Sequence, residues 1–87
     1  MSGQPSQAVP IVDAGQLRQR IVARLNDRRD QIGQVIVEAL QFEDAAWRAV
    51  LKPSKTWPDG YAEVLSEVEE LLFDESGVNV HLIPTMP

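Results

Sequence analysis

Leu17, Ile21, Val22, Leu25, Ile32, Val35, Ile36, Ala39 and Leu40 follow one another in steps dominated by three, four and seven. That is the period of a helix. At 100° per residue they fall within about 140° of one another, a single apolar stripe. The phase survives the polar interruption RLNDRRDQIG, Arg24 to Gly33, which a turn would normally reset. The pattern predicts one amphipathic helix over residues 14–41, with Asp13 as N-cap and Gln16 as its capping-box partner. Asn26, Asp27 and Gly33 are weak helix formers and pull toward a break.

Phe42, Ala46, Trp47, Val50 and Leu51 share a face and predict a short second helix over 42–51, stopped by Pro53. Two prolines and a Pro-Asp-Gly turn make residues 52–60 a loop, with Asp59 placed to cap the third helix. That helix runs from Tyr61 to about Glu75, with Tyr61, Val64, Leu65, Val68, Leu71 and Leu72 on one side and Gly77 as its stop. Val78 to Ile83 alternates apolar and polar positions, the signature of a strand, and Pro84 ends it. Val9 to Val12 is short and β-branched, and Pro10 confines it to a sheet edge. It is a candidate partner for 78–83, within one chain or across a dimer.

The expected fold is mainly α with a small β component, an α+β domain over residues 9–84. Residues 1–8 form a flexible arm in this reading, and residues 85–87 a tail. A chain of 87 residues buries only about 60–65% of its unfolded surface, so its core is thin. A 28-residue helix is about 42 Å long, against a diameter of about 31 Å for a domain of this size. Such a helix overhangs its own domain, so self-association through it is expected.

Composition narrows the chemistry. With 44% hydrophobic and 24% charged residues the chain reads as globular. It has no cysteine and one histidine, His81, which excludes disulfides, thiolate zinc sites and multi-histidine metal sites. No catalytic, cofactor-binding or metal-binding residue is expected, and the chain is read as non-enzymatic. The start lacks a basic and apolar leader pattern, and apolar runs are too short to span a membrane, so a cytoplasmic location is expected.

The net charge of −5 is unevenly spread. Five arginines (18, 20, 24, 28, 29) face four acids between Asp13 and Phe42, whereas Tyr61 to Ser76 holds six acids and no base. Arg28 and Arg29 fall inside the predicted apolar stripe, where a core wants leucine. They are read as a charged seam that meets the acids of a partner helix. Glu63, Glu67, Glu70 and Asp74 are read as a docking face for a basic protein partner. Val78 and Val80 offer a strand edge for β-augmentation. Trp57, in the loop rich in bases and hydroxyls, is either a contact residue or an anchor for the loop. The leading reading is a small acidic protein-interaction module: a regulator, inhibitor or assembly factor. The alternative is a nucleic-acid-binding regulator using the first helix's arginines. The missing lysines and aromatics in that segment argue against nucleic acid.

Overall fold

Asp13 has an extended backbone, and its carboxylate accepts the Gln16 N–H at 3.3 Å. This cap starts α1, Ala14–Asp27, which buries Leu17, Ile21 and Leu25 at steps of four. The helix stops at Arg28, whose φ of −106° and ψ of 14° leave the helical region. One further turn, α2 (Arg29–Ile32), ends at Gly33 with φ +80°, a conformation glycine takes without a Cβ penalty. The computed structural model describes residues 13–87; the expected arm at 1–8 and strand at 9–12 lie outside the described residues.

The chain then becomes a sheet. β1 (Val35–Glu43) and β2 (Ala46–Pro53) form an antiparallel hairpin closed by Asp44 and Ala45, both at positive φ. This corrects two expectations, the continuous helix over 14–41 and the second helix over 42–51. Val35-Ile36-Val37 is a β-branched run that fits a pleated surface better than a helix. In β2 the buried positions Ala49, Leu51 and Pro53 alternate, which is strand burial.

α3 (Tyr61–Ser76) forms where expected and buries Leu65, Val68 and Leu72. Its N-cap is Gly60, with no side-chain cap bond, so Asp59 does not take the expected role. At its other end the Gly77 N–H returns to the Phe73 carbonyl at 2.7 Å, with Gly77 at φ +74°. β3 (Val80–Pro84) comes next and pairs parallel to β2, giving the order β1-β2-β3. The strand expected at 78–83 thus exists but begins at Val80, and the partner it finds among the described residues is β2. Joining two parallel neighbours requires a crossover, and α3 is that crossover.

The described residues therefore form a small α+β fold with helices on one face of a three-stranded sheet. Leu17, Ile21, Leu25, Leu65, Val68 and Leu72 meet Val35, Val37, Ala49, Leu51, Val80 and Leu82 in one core. Among the described residues no polar or charged residue is buried. The opposite face carries Arg48, Lys52 and His81, all exposed. Such one-sided cover is ordinary for a sheet with an antiparallel hairpin.

Candidate functional site

The acids of α3 and the arginines of α1 face each other across the helix layer. Arg28 lies 3.2 Å from Glu67, and Glu75 receives both Arg20 at 3.6 Å and Arg24 at 3.5 Å. Arg24 also reaches Asp27 at 2.9 Å, one turn on. Its buried Nε has no hydrogen-bond partner, and the nearby Glu75 carboxylate offsets its charge instead. Arg18 turns to the sheet and donates to the Val37 carbonyl. Four of the five arginines between Asp13 and Phe42 thus have partners within the chain. Arg29 is exposed and, among the described residues, forms no ion pair.

Arg28, expected to meet the acids of a partner helix, pairs with Glu67 of its own chain. Glu67, one of the acids of the expected docking face, stays exposed in that pair. Glu63, Glu70 and Asp74 are exposed and form no ion pair among the described residues. Glu70 and Asp74 rim a groove of about 340 Å³ between α3 and the start of β3, together with Glu69, Phe73, Asn79, Val80 and His81.

Val78 and Val80, expected as an open strand edge, sit differently. Val78 packs partly against the core, and Val80 is only 4% exposed. Trp57 is half-buried: its Nε1 donates to the Thr85 carbonyl at 2.7 Å, and its ring stacks on Tyr61 at 5.1 Å. These contacts are those of a loop anchor, and they tie the 54–60 loop to the C-terminal segment.

Two aromatic residues carry surface that the pattern of charges does not signal. Phe42, on the hairpin beside its turn, is 60% exposed, and Phe73, near the end of α3, is 49% exposed. Phe42 pairs across the hairpin with Trp47, ring centroids 5.2 Å apart, and Trp47 pairs in turn with Val80. Phe73 lines the groove beside Val80. The exposed Phe42 thus begins a row that runs through half-buried Trp47 to buried Val80, flanked by Phe73 and by Glu70 and Asp74, which form no ion pair among the described residues. Sequence reasoning misses both phenylalanines: the helical spacing assigns Phe42 to a helix core, and Phe73 follows Leu71 and Leu72 in an apolar run.

Among the described residues no group of three or more His, Cys, Asp or Glu side chains is arranged to hold a metal ion. No described helix is long and apolar enough to cross a membrane. Comparison with protein-family models, curated proteins and solved structures finds no match to this chain.

Proposed function

We propose that this chain is a non-enzymatic protein-interaction module, a regulator, inhibitor or assembly factor, and that it meets its partner at the hairpin end. The observation that carries the reading is the pair of exposed rings, Phe42 and Phe73, on either side of the Trp47–Val80 row. Large aromatic side chains left outside a core are costly to hydrate and are enriched where proteins meet. The free carboxylates of Glu70 and Asp74 beside them favour a partner with basic residues at the rim, where charge steers encounter more than it adds affinity.

The route to self-association through a long helix loses its support. α1 has 14 residues, about 21 Å, and its buried positions are used by its own core. The nucleic-acid alternative is weakened as well, because four of the arginines it needs are held inside the chain.

The test is site-specific photo-crosslinking in the native host, with the reactive residue at position 42 or 73 and at exposed Gln31 as control. Positions 42 and 73 are expected to capture the same protein, and the pair E70K and D74K to reduce that capture. Capture from 42 and 73 no different from position 31 rejects the reading.

A further inference from the structure

Among the described residues the sheet has two edges, and an edge strand leaves a row of backbone groups without a ladder partner. In a parallel ladder alternate residues bond to the neighbouring strand. Asn79 accepts from the Trp47 N–H at 2.8 Å and the Thr85 N–H donates to Leu51 at 3.0 Å. The odd residues of β3 therefore bond to β2, and Val80, Leu82 and Pro84 point their backbone outward. None of the three offers a free N–H to an incoming strand. Pro84 has no N–H. The Leu82 N–H donates to Glu69 Oε2 at 2.8 Å, a bond that ties α3 to the strand. Val80 lies beside Phe73 and is 4% exposed.

The edge of β1 carries the complementary device. The Ser54 N–H donates to the Gln34 carbonyl at 3.0 Å, which sets the parity of the hairpin base and turns the backbone N–H and C=O of Val35 and Val37 away from β2, while their side chains stay in the core. The outward Val37 carbonyl accepts from the Arg18 guanidinium. An acid from one helix thus occupies an N–H on one edge, and a cation from the other helix occupies a C=O on the other.

We propose that Glu69 is an intramolecular block on strand addition: by holding the Leu82 N–H it closes β3 to a strand from a second copy of this chain. Arg18 does the same for β1 at Val37. The block rests on these two hydrogen bonds and is independent of the contact surface at Phe42 and Phe73. A charge-assisted bond at an edge is stronger than a neutral one, and an incoming strand must displace it before it can pair. It also explains why Glu69, with five other acids on the same helix, is the one whose carboxylate meets backbone.

Glu69→Ala, Glu69→Gln and Asp30→Ala test it in the full chain by size-exclusion chromatography with light scattering over a concentration series. Glu69→Ala should reach at least double the wild-type mass at high concentration. Glu69→Gln should keep the wild-type mass, because its amide oxygen still accepts from Leu82. Asp30→Ala removes the same charge at an exposed site outside the Leu82 bond and should also behave as wild type. Glu69→Ala at the wild-type mass overturns the proposal, as does equal association of Asp30→Ala, which makes charge alone the cause. Should Glu69→Ala fail to fold, hydrogen exchange on the wild type decides. Leu82 is expected to be protected although it lies on the outer edge, and exchange at the rate of a free peptide overturns the proposal.

Discussion

Arg28, the residue at which α1 breaks, reaches across to Glu67 in the middle of α3 at 3.2 Å. The contact links the junction of α1 and α2 to the crossover helix. Both partners keep solvent access, so the pair has little to give: exposed ion pairs measure about 0.2–1 kcal/mol. Arg28→Glu is expected to lower the midpoint of thermal unfolding by a few degrees, and the swap Arg28→Glu with Glu67→Arg to recover part of it. A double-mutant cycle in low and high salt reads the coupling, which should shrink as salt rises. A coupling that ignores salt argues that packing of the side chains, and not charge, joins these helices.

The hairpin turn stores strain that one substitution removes. Ala45 sits at φ +63° and Asp44 at +55°. Two-residue hairpins prefer such turns because their twist matches the strands, with Asn-Gly or Asp-Gly in the two places. Aspartate tolerates the left-handed region, whereas alanine there costs about 1 kcal/mol or more from its Cβ. Ala45→Gly is expected to raise stability by up to about 1 kcal/mol, after the entropy glycine loses on folding. For a domain of this size that is a rise of about 4–8 °C per kcal/mol in the melting midpoint. Unchanged or lower stability on denaturant titration contradicts the turn geometry.

The same hairpin shows what was legible in the sequence and what was not. α1 and α3 could be read because each has an unbroken helical stripe, and in α1 an Asp cap as well. The sheet could not, and the cause lies at Glu38. Val37 pairs with Leu51 and Ala39 with Val50, leaving Glu38 as an unpaired extra residue. A bulge of this kind inserts one residue into a period of two. The inward positions become 35, 37, 40 and 42, whose mixed steps mimic helical spacing when read together with Ile32, Ile36 and Ala39. In β2 the pairs Ala46–Trp47 and Val50–Leu51 imitate a helix face in the same way. The proposed contact surface was half legible: the acids of α3 stood out, but only the fold shows that Glu67, Glu69 and Glu75 are already engaged while Glu70 and Asp74 form no ion pair among the described residues.

Gly33 was the local signal that outweighed the preserved phase. It ends α2 at φ +80° and ψ −174°, and a Cβ built there meets nothing within 4 Å. The position is roomy, but its backbone conformation is essentially reserved for glycine. Gly33→Ala is therefore expected to destabilise by about 1–3 kcal/mol through backbone strain alone. Gly33→Asn should cost about as much, because the left-handed well that asparagine visits lies near ψ of about +30 to +60°. Equal stability of Gly33→Ala and wild type in chemical denaturation contradicts a positive φ at this position.

Trp57 offers a separate check on the loop. Its Nε1–H to the Thr85 carbonyl and its stack on Tyr61 are distinct interactions. Trp57→Phe keeps an aromatic ring for the stack and deletes the donor. The expected loss is about 0.5–1.5 kcal/mol for one hydrogen bond. Amide exchange at Thr85, whose N–H donates to Leu51 at 3.0 Å, should quicken in the same variant as the C-terminal segment loosens. Exchange at Thr85 that stays as slow as in the wild type separates the loop anchor from that segment.

The proposed contact surface requires that its residues be dispensable for folding, and neighbouring residues of α3 make the comparison direct. Leu72 is fully buried, while Phe73 beside it is half exposed. Leu72→Ala removes core atoms and leaves a cavity, at a cost of about 2–5 kcal/mol. A domain of this length is stabilised by about 5–15 kcal/mol at most, so that loss takes a large fraction of the total. Phe73→Ser leaves the core in place and gives up only the partial cover of Val80, so its cost should stay well below that of Leu72→Ala. Denaturant melts of the two variants under identical conditions test the contrast. A Phe73→Ser loss as large as that of Leu72→Ala makes Phe73 a core residue and removes it from the contact surface.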